Sequence, residues 1–183
     1  MVCVGLIVEG IYDEAALTEF VRKGVPDARI ICRICGNAFE LVKKFPAFLE
    51  EFRHANDGAP VDKAIVVRDA DRKNPGDLIA KMESRVANRV YPFQKKLLVA
   101  VEELEAWLLA DEQALSSVTG RAIRRISDPE RINDPKARLR TILSDAKIIY
   151  THEVARKISV AARLDVLAAR CPSFRTFQDA IQT

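Results

Sequence analysis

The sequence predicts an α/β fold: a four-stranded, mainly parallel sheet with helices on both faces, followed by a helical C-terminal extension. Short apolar runs alternate with segments of helical periodicity, and no strand-type run follows Val101. Strands that alternate with helices form parallel sheets covered on both sides. We therefore expect an α/β domain over residues 1–111 and a helical extension over residues 112–183 packed on it.

The expected strands share a short apolar, partly β-branched composition, which is typical of buried strands. They are Val2–Val8, Arg29–Ile34, Ala64–Val67 and Lys96–Val101.

The expected helices show apolar residues at helical spacing. Between the strands they are Asp13–Lys23, Ala38–Arg53 and Pro75–Asn88, and after the last strand Glu103–Ala110, Pro135–Ser144, Thr151–Ile158, Val160–Arg170 and Ser173–Gln182. Pro46 predicts a kink or a restart in the second helix, because proline removes a backbone donor.

The amino-acid composition is that of an ordinary globular protein. A hydrophobic fraction of 49% and a charged fraction of 30% are ordinary for a globular protein of 183 residues. The opening run is interrupted by Glu9 too soon for a signal peptide or a membrane span. We therefore expect a cytoplasmic protein with no membrane partner, whose four cysteines stay reduced. The oligomeric state is left open.

Charge is distributed unevenly along the chain. Residues 1–120 hold 16 Lys and Arg against 19 Asp and Glu, whereas residues 121–183 hold 13 against 7. A basic second part suits a polyanionic partner such as nucleic acid, although a solvated helix face gives the same pattern.

The third strand ends in two aspartates, Asp69 and Asp71. If the chain stays extended there, the two carboxylates share one face of the strand. Two such close carboxylates repel unless a cation lies between them, and a divalent metal with oxygen ligands is the simplest such cation. A solvated loop after a strand is the alternative explanation.

Acidic residues also follow the first and fourth strands, at Glu9 and at Glu102, Glu103 and Glu105. In an open parallel sheet these strand ends share one edge, which is where ligands bind in this class of fold. We expect the cluster to hold Mg²⁺ (or Mn²⁺), which binds phosphate oxygens and activates water. Arg68, Arg72 and Lys73 flank the acidic pair and are candidates to hold a phosphate.

These residues resemble the Toprim domain of type IA topoisomerases, bacterial primases and OLD-family nucleases. The pattern is a Glu-Gly after the first strand (LIVEGIYDEAAL, 6–17) and an Asp-x-Asp after the third (VVRDAD, 66–71). ELEAWLLAD (103–111), NDPKARL (133–139) and CPSFRTFQDAI (171–181) resemble a standalone Toprim-like family of the Glu-x-Trp-Leu-Leu type found near phage-defence systems.

The resemblance implies roles for four acids. Glu9 would be the general acid or base, Asp69 and Asp71 the metal ligands, and Glu105 a further acidic residue of the site. All four would take part in both catalysis and metal binding. Gly10 and Lys136 join the three basic residues above as candidates for phosphate or nucleic-acid binding. The tyrosine domain of topoisomerases and the accessory parts of primases have no counterpart, which leaves phosphodiester hydrolysis.

We therefore expect a Mg²⁺-dependent nuclease acting on nucleic acid, in phage defence, with a partner ATPase on a separate chain because no P-loop motif occurs. Two alternatives stay open. One is a catalytically weak metal- or nucleic-acid-binding module that works with a partner protein. The other is a nucleotide-handling transferase that uses the Asp-x-Asp pair.

Other motifs have a structural explanation that is at least as good. Cys32 and Cys35 form a lone CxxC pair, for which a buried role is favoured over redox chemistry. Trp107 is expected in the core. Asp13 and Asp111 are acids that a helix start explains as well as a site does.

Overall fold

The computed structural model describes residues 1–182. This part of the chain forms one sheet of four strands: β1 (Cys3–Val8), β2 (Arg29–Ile34), β3 (Lys63–Asp69) and β4 (Gln94–Ala100). The strand order is β2-β1-β3-β4, and every neighbouring pair is parallel. The predicted fold class is confirmed.

Helices connect the strands and continue after them. Their bounds are α1 (Ile11–Gly24), α2 (Ala38–Glu51), α3 (Pro75–Ser84), α4 (Glu105–Leu108), α5 (Glu112–Thr119), α6 (Pro135–Asp145), α7 (His152–Ala161), α8 (Leu164–Arg170) and α9 (Pro172–Gln182), with a 3₁₀ turn at Pro129–Arg131. The helix α2 continues through Pro46 without a restart. Helix α5 was not predicted from the sequence, although Asp111 caps its start and Gly120 adopts the left-handed conformation that ends helices.

One face of the sheet packs against α1 and the C-terminal helices. Alternate residues of the strands, such as Leu6 and Ile65, share a core with these helices. Trp107 is 1% exposed, and its ring meets that of Phe174 edge-on at 5.2 Å between centroids. The C-terminal extension therefore completes the burial of this face, and the expected core position of Trp107 is confirmed.

The opposite face packs against α2 and α3. Its core combines strand residues such as Ile7 and Val66 with Leu41 and Met82 of the helices. Gly5 lies under the ring of Phe52, where a Cβ atom would come within 2.4 Å of the ring. A glycine is therefore needed there for the close approach of chain and ring.

Polar contacts also join the C-terminal extension to the α/β domain. The ammonium of Lys23, at the end of α1, donates to the carbonyl oxygens of Ser159, Val160 and Ala162 at the end of α7. A cation at a helix C-terminus satisfies carbonyls that have no partner within the helix. None of the helices within residues 1–182 is long and apolar enough to cross a membrane.

Candidate active site at the carboxyl edge of the sheet

Glu9 and Asp69 meet where the two central strands end. The chain leaves β1 toward β2 on one side and leaves β3 toward β4 on the other, so β1 and β3 flank the switch point of the sheet. The backbone N–H of Asp69 donates to Glu9 Oε1 at 3.0 Å, and Asp69 Oδ1 accepts from the N–H of Leu104 at 2.9 Å. The expected approach of acids from distant segments is therefore observed for this pair.

Two helices bring further carboxylates to the same place. Asp13, in the first turn of α1, accepts the N–H of Gly10 at 2.8 Å through Oδ2. Glu105, at the start of α4, is 1% exposed. The charges of Asp13, Glu105 and Glu9 each act on the Asp69 carboxyl group. The site thus gathers four carboxylates from four elements of the chain.

Glu105 is held by partners from the C-terminal extension. Its Oε1 accepts from the hydroxyl group of Tyr150 at 3.1 Å and lies 3.0 Å from the ammonium of Lys136. Its Oε2 is buried without a hydrogen-bond partner among residues 1–182. The rings of Tyr12 and Tyr150 are tilted relative to each other, with 5.0 Å between their centroids, and the pair lies beside the site.

Lys136 is a cation built into the acidic cluster. Partial burial by itself would lower its pKa, but the charge and hydrogen bond of Glu105 together with the charges of Glu103 and Asp69 raise it. Lys136 was expected to bind a phosphate, whereas in the structure its ammonium is committed to Glu105. The spacing of the sequence could not show this pair, because its members are 31 residues apart and meet only through the packing of α6 on α4.

Three of the carboxyl groups, those of Glu9, Asp13 and Asp69, hold protons more tightly than usual. Burial raises the pKa of Asp13 to about 7, with the charges of Glu105 and Glu9 adding to the effect. Burial and the charge of Asp13 raise the pKa of Asp69 well above its ordinary value, and burial also raises the pKa of Glu9. Groups that titrate near neutral pH in this way are typical of functional sites, although structural networks also produce them.

Asp71 differs from the sequence expectation. The strand ends at Asp69, and both Asp71 (φ 49°) and Arg72 (φ 65°) adopt the left-handed conformation. The chain is therefore not extended at Asp71, and the two aspartates do not share one face of a strand. Asp71 is exposed and borders a recess of about 200 Å³ with Arg72 and Glu102, but its charge still reaches Glu9 and raises the pKa of that group.

The predicted phosphate-binding residues are separated by the structure. The N–H of Gly10 is already bonded to Asp13. Arg72 and Lys73 are exposed, and Arg68 is buried on the side of the sheet that packs against α2 and α3. Arg68 and Lys73 border one cavity, whereas Arg72 borders the recess beside Asp71.

The cluster fits a hard cation by its chemistry. The donors are carboxylate oxygens, and the buried, unpaired Oε2 of Glu105 shows that one of them lacks a partner. Within residues 1–182, however, no three His, Cys, Asp or Glu side chains are arranged for joint coordination of a metal ion. A metal held here would therefore need side-chain rotations that bring the carboxylates together.

The remaining motifs have structural explanations. Burial raises the pKa of Cys32 to about 12 and that of Cys35 to about 11, so both thiols stay protonated, which does not favour redox chemistry. Asp111 caps α5 and accepts three hydrogen bonds from Arg163. Burial by itself would raise its pKa, but these bonds lower it to about 2. Asp111 therefore belongs to the scaffold.

The fold and the site define an α/β protein with a buried carboxylate cluster at the switch point of a parallel sheet. Residues 8–182 match the model of the family described as a domain of unknown function, DUF4276. The match spans most of the chain, so the chain belongs to this family. The comparisons with curated proteins and with solved structures gave no match.

Proposed function

We propose that the protein is a Mg²⁺-dependent phosphodiester hydrolase of the Toprim type that acts on nucleic acid. The contact between Glu9 and the backbone of Asp69 at the switch point is the observation that carries this proposal. Asp13 and Glu105 support it, because they add negative charge that a divalent cation would neutralise. The Toprim pattern and the position of the cluster at the ligand-binding edge agree with each other.

Each acid has a role in this proposal. Glu9, Asp69, Asp71 and Glu105 would hold Mg²⁺ or Mn²⁺, which when bound polarises a phosphate and activates a water molecule. Glu9 has a raised pKa, which suits a general acid or base that exchanges a proton with the reacting oxygens. Arg68 and Lys73 would attract the phosphate through their charge.

The setting of this activity is also part of the proposal. A cytoplasmic location agrees with the four cysteines, none of which is in a disulfide. Because the sequence has no P-loop, an ATPase on a separate chain would supply any ATP-driven step, as in a phage-defence system.

One observation favours a second candidate, a catalytically weak binding module. The Lys136–Glu105 ion pair already neutralises part of the cluster without a metal. In that case the C-terminal helices would hold the acids as a structural network. The transferase alternative, in which the Asp-x-Asp pair holds a metal-bound nucleotide, has no separate observation in its favour.

The test is nicking of supercoiled plasmid in the presence of Mg²⁺ or Mn²⁺. We expect cleavage by the wild-type chain and a loss of at least about a hundredfold in Asp69→Asn and Glu9→Gln. Asp77→Asn and Glu14→Gln are matched controls, because each removes one carboxylate from a helix start outside the cluster. Both controls should nick at the wild-type rate.

A second readout separates metal binding from turnover. Addition of 10 mM Mg²⁺, about ten times a Kd of about 1 mM, should stabilise the wild-type chain at pH 8 by about 1.4 kcal/mol in thermal melts. Asp69→Asn should lose this gain. Equal nicking by all variants would refute the hydrolase, and nucleic-acid binding with no nicking by the wild type would favour the binding module.

A further inference from the structure

A basic groove runs between α2 and α3 on the face of the sheet opposite the C-terminal helices. It consists of two adjoining cavities of about 490 and 510 Å³ that share Lys43 and Arg85. Lys73, Lys81 and Arg68 line the first cavity as well. Among the described residues, no Asp or Glu lines either cavity.

The cations of the first cavity lie close together without counter-ions among the described residues. Some other arginines of the chain have carboxylate partners, such as Arg33 with Glu51 and Arg170 with Glu112. Within residues 1–182, the five cations of the first cavity form no ion pair at all. Like charges that converge without counter-ions repel each other, so the groove favours an anionic occupant.

Arg68 is the strongest sign of a ligand. Its side chain lines the first cavity although the residue is only 4% exposed. Its Nε donates to the carbonyl oxygen of Asp69 at 3.3 Å, and no described residue forms a hydrogen bond or an ion pair with its two terminal nitrogens. These terminal nitrogens are free to donate into the cavity, and a bound phosphate would accept two parallel hydrogen bonds from them.

The groove leads to the carboxylate cluster. Arg68 directly precedes Asp69 in β3, and its positive charge is close enough to Glu9 to act on that carboxyl group. A chain of phosphates lying in the groove would therefore reach the edge of the sheet beside the Glu9–Asp69 pair.

We propose that this groove binds the phosphate backbone of single-stranded nucleic acid and delivers it to the carboxylate cluster. The inference rests on the proposed function and deepens it by naming the surface and the form of the substrate. Phe39 lies at the groove and is 75% exposed, so its ring offers a stacking surface for a base. A basic groove with an aromatic platform is the usual arrangement of proteins that bind single strands.

Two other anions fit less well. The phosphates of a duplex lie on a wide, stiff cylinder that does not enter a cleft between two helices down to a buried arginine. A mononucleotide would fill only one of the two adjoining cavities.

The experiment measures binding of a fluorescein-labelled (dT)₁₂ oligonucleotide by anisotropy in EDTA, so that no hydrolysis occurs. The groove variant carries Lys43→Ala, Lys81→Ala and Arg85→Ala, all at exposed positions. The control variant carries Arg124→Ala, Arg125→Ala and Arg140→Ala, which remove the same charge from exposed positions of the C-terminal part.

We expect the groove variant to bind at least tenfold more weakly at low salt. Its plot of log affinity against log salt should be shallower by about 2, because each phosphate contact contributes about 0.7 to the slope. Phe39→Ala should weaken binding by between about fivefold and a hundredfold. The control variant should bind within about twofold of the wild type.

Several results would overturn the inference: no binding of (dT)₁₂ by the wild type, equal binding by the groove variant, loss of binding in the control variant, tighter binding of a 12-base-pair duplex, or competition by dTMP as strong as by the unlabelled oligonucleotide. Asp69→Asn should keep its affinity. If the wild type does not nick plasmid but the groove variant binds (dT)₁₂ more weakly, only the hydrolase proposal is wrong. If the wild type nicks plasmid but the groove variant binds (dT)₁₂ normally, only the groove inference is wrong.

Discussion

The raised pKa of Asp13 gives a quantitative test of the acidic cluster. Substitution of Asp13 by Asn keeps an oxygen that accepts the N–H of Gly10 but removes the negative charge. One pKa unit corresponds to about 1.4 kcal/mol, so a rise from 3.8 to about 7 makes the charged form cost about 4 kcal/mol above pH 7. Neighbouring acids share the released proton, so we expect Asp13→Asn to be more stable by about 2–4 kcal/mol at pH 8.

The pH dependence has a definite sign. A carboxyl group with a raised pKa in the folded protein favours folding below the pKa of the unfolded chain, near 3.8. This advantage is lost as pH rises from there to about 7. The gain from Asp13→Asn should therefore be largest at pH 8, shrink by more than half at pH 5 and vanish below pH 4.

The assay is urea denaturation of wild type and variant at pH 8 and pH 5, without divalent metal. The matched control is Asp77→Asn, which removes an exposed carboxylate from the first turn of α3. The control should lose about 0.5 kcal/mol, because it gives up a favourable charge at a helix start. A gain from Asp13→Asn that is equal at both pH values, or a loss at both, would refute the electrostatic argument.

Two further predictions concern the contacts that join the C-terminal helices to the site and to the scaffold. Lys136→Met should cost about 1–3 kcal/mol at pH 8 in the same assay, because the buried carboxylate of Glu105 loses its cation. The double variant with Glu105→Gln should recover part of the lost stability. A Lys136→Met variant as stable as the wild type would contradict the role of Lys136 as the counter-ion of Glu105. Asp111→Ala should cost about 3 kcal/mol, because Arg163 and the start of α5 lose their acceptor. The pKa of Asp111 is lowered to about 2, so the difference in stability between wild type and Asp111→Ala should be complete above pH 4 and should narrow as pH falls through about 2. A stability difference that does not change with pH would contradict the ionic bond between Asp111 and Arg163.

The strands and the acids at their ends could be predicted because both depend on local patterns. Apolar runs located the strands to within a few residues, and parallel topology then required Glu9 and Asp69 to share an edge. The expected extended backbone at Asp71 was wrong, because the direction of that side chain depends on the backbone after the strand. The left-handed conformation there is fixed by contacts such as the bond from its N–H to the carbonyl oxygen of Glu102.

Residues of the C-terminal helices at the site could not be predicted in the same way. Tyr150 lies 45 positions from Glu105, and its spacing gives no signal of the contact between them. For Asp13 the sequence left a helix-start role and a site role equally open, because it does not show how deeply a side chain is buried. The basic groove could not be predicted from the sequence either, because Lys43 lies on α2 and Lys81 on α3 and they meet only in the folded chain.

The sequence by itself determined the order and type of the elements, and with them the edge of the sheet where acids collect, because periodicity and strand direction are properties of the chain. Only the tertiary structure decided which acids touch, which hold protons and which cation neutralises them. Burial and charge–charge distances set those properties, and both arise when the C-terminal helices close over the sheet.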